Sequence, residues 1–241
     1  MVTETKLTTL NAACVIHGSS YDWTYVDRLR NMLQRHCSLP VIMHVYTEAH
    51  RPVPEPFVKH VLEDWNLPGH QAWWYKIQLF NSQYYQGPLL YLDLDTVIID
   101  NIDWIWQLDS QKFWIIRDFS YLYKPHTRTL NSSVMWWDTT KFADLYRCFK
   151  SQKLHTVVKS FQGDQNWITQ YVPINDYRIF DLDRVVSWRW QCFDGGYEFK
   201  TRTYLQPGTG TCPPKNASIL VCHGNPKPDK IQDSFIVAHW K

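Results

Sequence analysis

The chain has almost no excess of charge. Its 25 Lys and Arg stand against 23 Asp and Glu, a net +2 over 241 residues. That balance is too even to point to a nucleic-acid partner. Long apolar runs are also missing, and nothing approaches the roughly 20 residues needed to cross a bilayer. MVTETKLTTL, at the N-terminus, lacks the basic-then-apolar pattern of a signal peptide. The six cysteines (Cys14, Cys37, Cys148, Cys192, Cys212, Cys222) form no C-x-x-C pair and no zinc spacing. They read as free thiols in a reducing compartment. The expectation is a soluble, cytoplasmic protein with no transmembrane segment. Asn131 and Asn216 match the N-glycosylation pattern, which carries meaning only in a secreted chain. Aromatics, by contrast, are abundant: 13 Trp and 14 Tyr. Such surfaces suit sugar rings and bases, and large cores use them too. The length fits one domain with a sizeable core.

The stretch from Gly87 to Asp103, GPLLYLDLDTVIIDNID, organises the rest. A Gly-Pro turn signal opens it, the apolar run Leu89 to Leu92 follows, and Val97 to Ile99 closes it. This pattern predicts a buried strand. Asp93 and Asp95 interrupt it. Ionised carboxylates at the end of a buried strand need a partner, because desolvation is costly. A divalent metal is the natural one, and hard oxygen ligands suit Mn²⁺ or Mg²⁺. The plainer alternative is a strand cap or turn.

Around this stretch, apolar runs predict strands at 12–17, 41–46, 113–116 and 219–222. Helical spacing covers 23–36, with Asp22 as a cap. Further helices are expected at 57–65, at 73–85 and from Asp164 onward, where Gly163-Asp164-Gln165 reads as a cap with Asp164 bonding the amides. Asp181 and Asp183 form a second Asp-x-Asp without a preceding apolar strand, hence a turn. The Thr-, Gly- and Pro-rich 201–216 reads as a loop able to close over substrate. Strands alternating with helices give an α/β fold around a mostly parallel sheet. In such sheets ligands bind outside the carboxyl ends of the strands.

YLDLDTVIIDNID resembles the metal-binding Asp-x-Asp segment of glycosyltransferases with the GT-A fold, most closely the family 8 type. The likeness extends from about Tyr21 to about Pro228. It implies one GT-A domain, with residues 1–103 as the nucleotide-sugar-binding half and 104–241 as the acceptor- and sugar-binding half. Tyr21 would meet the uracil, with Trp23 and Tyr25 as neighbouring alternatives. Lys76, 17 residues before Asp93, stands where the family carries a basic residue for the donor. Leu130-Asn131-Ser132-Ser133-Val134 resembles the family's Asn-Ser-Gly-Val, with Ser in place of Gly. Asn131 would hold the sugar there, and Asp118 its hydroxyls. Asp164 and Gln165 match the Asp-Gln beside the anomeric carbon. His223-Gly224-Asn225-Pro226-Lys227 resembles the C-terminal motif in which His completes the metal site and Gly and Lys meet the diphosphate. Here His and Lys are only four apart. The resemblance implies a hexosyltransferase, Mn²⁺-dependent (or Mg²⁺-dependent), using a UDP-sugar with retention on an unknown carbohydrate, lipid-linked or protein acceptor. Asp93, Asp95 and His223 would be the metal ligands. Two rivals remain: a haloacid-dehalogenase-type phosphatase with Asp93 as nucleophile, and a catalytically silent carbohydrate-binding protein of the same fold.

Overall fold

The computed structural model describes residues 7–193, 197–200, 203–204 and 210–241. Strand β1 (Leu10–Val15) leads into helix α1 (Trp23–His36), then β2 (Val41–Thr47) and β3 (Val58–Val61). A 3₁₀ stretch, Gly69–Phe80, precedes β4 (Pro88–Leu92) and β5 (Thr96–Ile98). Next come α2 (Asp103–Trp106), β6 (Phe113–Arg117), a 3₁₀ turn at Phe119–Leu122 and β7 (Leu130–Asp138). Helices α3 (Ala143–Lys150), α4 (Leu154–Ser160) and α5 (Asp164–Tyr171) follow, then β8 (Tyr177–Ile179) and β9 (Val185–Ser187). The chain closes with α6 (Trp188–Gln191), β10 (Tyr197–Glu198), β11 (Thr203–Tyr204), β12 (Ile219–Val221), a 3₁₀ turn at Pro228–Lys230 and α7 (Ser234–His239).

Seven strands form one sheet in the order β3-β2-β1-β4-β7-β6-β8. Only β7 runs against the others. A period of two sorts its side chains onto two faces. Ala12 and Cys14 of β1, Leu90 and Leu92 of β4, and Val134 and Trp136 of β7 pack into one core with Val26, Leu29 and Met32 of α1. Ala13, Leu89, Tyr91, Met135 and Trp137 face the other way, onto Trp74, Ile77 and Phe80 of the 3₁₀ stretch, Phe149 of α3 and Trp167 of α5. Burying each large side chain contributes about 2 kcal/mol or more. Both faces being covered is what a mostly parallel sheet requires.

The expected strand through 89–99 is two strands in two sheets. After β4 the chain turns at Asp93–Asp95, and β5 joins a second sheet, β5-β12-β9. Asp93 N–H still donates to Ser133 O at 2.8 Å, one step beyond the β4–β7 ladder. Thr96 closes the turn with its N–H and hydroxyl both on Asp93 O. The carboxylate pair therefore sits where the backbone leaves one sheet for another.

Other differences are local. The expected helix at 57–65 is instead edge strand β3, parallel to β2. The expected helix at 73–85 is shorter, lies earlier and is wound as 3₁₀. Asp22 caps α1 as expected, accepting from Thr24 N–H at 2.9 Å. Gly163, not Asp164, is the N-cap of α5; Asp164 is already helical and spends its carboxylate elsewhere. Seven of the sixteen residues of the 201–216 loop lie outside the described residues. Among the described residues no helix is long and apolar enough to cross a membrane. The six cysteines are unbridged.

Candidate active site

The carboxyl ends of β1, β4 and β6 lie on one side of the sheet, and β7, running the other way, begins there. The loops at these ends bring His17, Asp93, Asp118 and Asn131 to one region. The second sheet adds to it. β12 is antiparallel to β5, so its end meets the start of β5, and Cys222 N–H donates to Asp95 O at 3.0 Å. His223 follows directly. A cleft of about 860 Å³ opens between these loops, lined among others by Tyr21, Lys76, Asp93, Asp95, Asn131, Asp164, Gln165, His223, Gly224 and Lys227.

Its floor is a network of buried charge. Lys76 Nζ lies 2.9 Å from Asp93 Oδ1, 3.6 Å from Asp164 Oδ2 and 3.1 Å from Ser132 Oγ. The Ser132 hydroxyl donates to Asp164 Oδ2 at 2.5 Å, and Tyr91 O–H donates to Asp93 Oδ1 at 2.6 Å. Lys227 pairs with Asp95, which also accepts from Tyr21 O–H at 3.3 Å. Burial alone would raise the Asp93 carboxyl, but Lys76 and hydrogen bonds from Tyr91 and Ser133 hold it below its usual range. Asp95 goes the other way: burial and then the Asp93 charge raise it, more than Lys227 lowers it. Burial also raises Asp164. Burial would depress the Lys76 ammonium, yet Asp164 and Asp93 carry it above its ordinary value.

The start of β7 is shaped by a bulge. Register with β6 jumps from Ile115↔Met135 to Ile116↔Asn131. Asn131 Oδ1 accepts from Ser133 N–H at 2.9 Å, which leaves the amide nitrogen for other partners, while Ser132 turns toward Lys76. Ser133 sits there without backbone strain, since Asn66 is the one non-glycine with positive φ among the described residues.

The opposite wall carries His223. Its Nε2 lies 2.7 Å from Ser187 Oγ, and its ring stacks on Phe119 at 5.4 Å and meets Trp190 edge-on at 4.6 Å. Burial, then Arg189, lowers its pKa to about 4, so the imidazole is neutral at pH 7. Gly224 takes φ +74°, which favours glycine. Asp118 caps the 3₁₀ turn at Phe119–Leu122 through Ser120 N–H and accepts from Gln165 Nε2 at 3.5 Å; it is the one expected residue outside the cleft lining. At the β1 end, Glu48 accepts from Gly18 N–H at 2.5 Å and from Arg51, whose guanidinium also donates to Gly18 O. Burial would raise Glu48, but these bonds hold it at about 2. They fix the loop that presents His17, Ser20 and Tyr21.

Among the described residues no three His, Cys, Asp or Glu side chains are grouped as a ready metal cage. The donor chemistry nevertheless fits a hard divalent cation. Asp93, Asp95 and Asp164 outnumber Lys76 and Lys227 in the floor, and Asp95 is unfavourable beside Asp93. His223 is neutral, and with Nε2 held by Ser187 its Nδ1 is the remaining ring donor position, as in imidazoles oriented by an outer partner.

Sequence reasoning assigns no role to Trp73, Tyr91 or Ser132, all in the cleft lining. Tyr91 is hidden in an apolar strand run, although alternation with Asp93 puts both side chains on one face. Ser132 lies inside a motif read only for its Asn.

No family model matches the chain, and no curated protein matches it. Solved structures do. The bifunctional glycosyltransferase WbbM, in an apo structure, superposes with TM-score 0.59 at 12% identity over 92% of this chain and 47% of that one. GlyE of Streptococcus pneumoniae TIGR4, a glycosyltransferase, gives 0.57 at 13% over 91% and 56%. The chain thus spans about half the length of these two. An active-site mutant of LgtC gives 0.55 at 10% over 93% and 91%. Mouse xyloside xylosyltransferase 1 gives 0.52 at 14% over 90% and 98%. At such identities the likeness is one of fold: a mostly parallel seven-stranded sheet flanked by helices, the GT-A architecture that these glycosyltransferases share with this chain.

Proposed function

We propose that the chain is a cytoplasmic, metal-dependent glycosyltransferase of the family 8 type. It moves a hexose from a UDP-sugar to a carbohydrate, lipid-linked or protein acceptor, with retention. The observation that carries this reading is convergence. Ten of the eleven residues singled out from four separated sequence segments and from isolated positions line one cleft at the carboxyl ends of the parallel strands.

Each residue then has a task. Tyr21, with His17 beside it, forms the wall for the base. Asp93, Asp95 and His223 would hold Mn²⁺ or Mg²⁺, which when bound withdraws charge from the diphosphate leaving group. Lys227 and the Gly224 backbone face the same phosphates, and preorganised positive charge there favours departure. Lys76 sits under the donor sugar, holding Asp93 and Asp164 in place. Asn131, Asp164 and Gln165 offer hydrogen bonds to the sugar hydroxyls, and Asp118, expected to do the same, stands behind Gln165 and orients its amide. Asp164 and Gln165 begin α5, so both stand on one rigid element beside the anomeric carbon. The 104–241 half supplies the acceptor side.

The test is a thermal-shift and turnover pair. UDP-glucose or UDP-galactose with Mn²⁺ should raise the melting temperature, and neither component alone should do so to the same extent. Excess chelator should abolish UDP release. Full turnover in chelator would remove the metal from the reading, and no response to any nucleotide sugar would leave the silent binding protein.

A further inference from the structure

We infer that Arg189 is a further anion-binding residue of this cleft, one that takes the diphosphate of the donor. The inference rests on the nucleotide-sugar reading above and adds a residue that no motif singled out.

Arg189 lies on α6, whose first turn is held by Ser187 Oγ accepting from Trp190 N–H at 3.2 Å. The helix follows β9, which runs parallel to β12, so Arg189 projects beside the residues that follow β12. Its guanidinium packs against Gly224. A Cβ built there would lie 3.3 Å from Nη1, 3.4 Å from Nη2 and 3.5 Å from Cζ. Gly224 is favoured by its φ of +74°, and a side chain there would also crowd this guanidinium. The close approach leaves the arginine against a backbone that itself lines the cleft.

A guanidinium carries five N–H donors and seeks planar oxygen pairs. Other arginines of this chain find them. Arg35 donates to the carbonyls of His239 and Lys241, Arg51 to Glu48 and Gly18, and Arg117 to the carbonyls of Pro125 and Thr127. Arg189, half-buried, has no hydrogen bond and no ion pair to any described residue. Its charge is felt at His223, where it and Lys227 both act as like-signed neighbours. Lys227 is committed to Asp95. Arg189 thus stands behind Gly224, just outside the lining, at the corner that holds Lys227 and a neutral imidazole, while the floor holds three carboxylates. With a cation on Asp93 and Asp95 balancing the floor, a dianionic diphosphate gains a further positive partner on the Gly224 side of the cleft. Bidentate Arg–phosphate bonds are among the stronger charge-assisted contacts.

Calorimetry on the full chain, with Mn²⁺ present, tests this. The probes are UDP, which has the distal phosphate, and UMP, which does not. Arg189→Gln should weaken UDP about tenfold and leave UMP within about twofold, the scale of a lost charge-assisted hydrogen bond. Arg189→Lys should recover part of the UDP affinity, because it restores the charge without the fork. Unchanged UDP binding in Arg189→Gln, or an equal loss for UDP and UMP, overturns the inference; the second outcome covers a variant that merely folds badly. If the wild-type chain binds UDP and Arg189→Gln binds it equally well, only this inference falls. If the wild-type chain binds neither nucleotide, the nucleotide-sugar reading falls first.

Discussion

Asp95 stands between charges of opposite sign. Lys227 and Tyr21 bond its carboxylate from one side, and Asp93 repels it through the buried floor. Asp95→Asn keeps the shape and an oxygen for the Tyr21 hydroxyl but removes the charge. Donor turnover should fall by about 100-fold or more, the scale of losing a metal-supporting group, with little change in melting temperature. UDP release and thermal melting read the two effects separately. The two lysines should differ in the same pair of measurements. Lys76 has an 11% accessible side chain and holds both Asp93 and Asp164. Lys76→Met strands those carboxylates, at about 3–5 kcal/mol of stability. Lys227 is 28% accessible and holds one buried carboxylate, Asp95, instead of two, so Lys227→Met should cost less, about 1–3 kcal/mol, while still weakening UDP binding. Equal destabilisation by the two substitutions would contradict the partition drawn between them.

Elements were legible where period and turn chemistry agreed. Helix α1 has a cap, a buried stripe and a clear end, so 23–36 is the same segment in sequence and structure. β3 had none of these. FVKHVLEDW is too short for period to separate strand from helix, and the deciding contacts come from elsewhere. Lys59 Nζ donates to the carbonyls of Ala49 and Arg51 at 2.7 and 2.6 Å. His60 lies against His44, Nε2 to Nδ1 at 2.8 Å, and His44 Nε2 reaches Asn11 Oδ1 at 2.9 Å. Because Asn11 Oδ1 can only accept, His44 carries its proton on Nε2 and His60 donates to His44 Nδ1. Three parallel strands are thus joined through one neutral imidazole. Burial lowers the His44 pKa to about 4, against 6.5 in the unfolded chain. Between these values the unfolded chain binds a proton that the fold excludes. Stability should therefore fall as pH drops from about 6.5 to about 4, by roughly 3 kcal/mol from this group, and then level off. His44→Gln should flatten that part of the curve. A stability profile identical to wild type between pH 4 and 6.5 would mean that His44 does not titrate this way.

At the scale of the whole molecule, the site was legible because its chemistry interrupts apolar runs, and the path of the chain was not. Nothing in YLDLDTVIID marks the point where β4 leaves one sheet and β5 enters another, since both halves are equally apolar. That switch decides what Asp93 can do. In a phosphatase of the rival kind, Asp93 would attack phosphorus and carry a covalent phosphoryl group. Here Asp93 Oδ1 receives the Tyr91 hydroxyl and Lys76, and the carboxylate is stabilised as a fixed charge. Its neighbour Asp95 reaches across to the β12 end, where His223, Gly224 and Lys227 wait. A phosphatase has no use for that second wall, or for Asp164 and Gln165 at the start of α5. Mn²⁺ with UDP-glucose or UDP-galactose should accordingly give slow release of UDP and free sugar, water standing in for the acceptor. Aryl phosphates should remain intact, and no phospho-aspartate should form. Mass spectrometry after incubation with each substrate separates the two chemistries. A beryllofluoride adduct on Asp93 in a chain that does not bind UDP would make it the phosphatase.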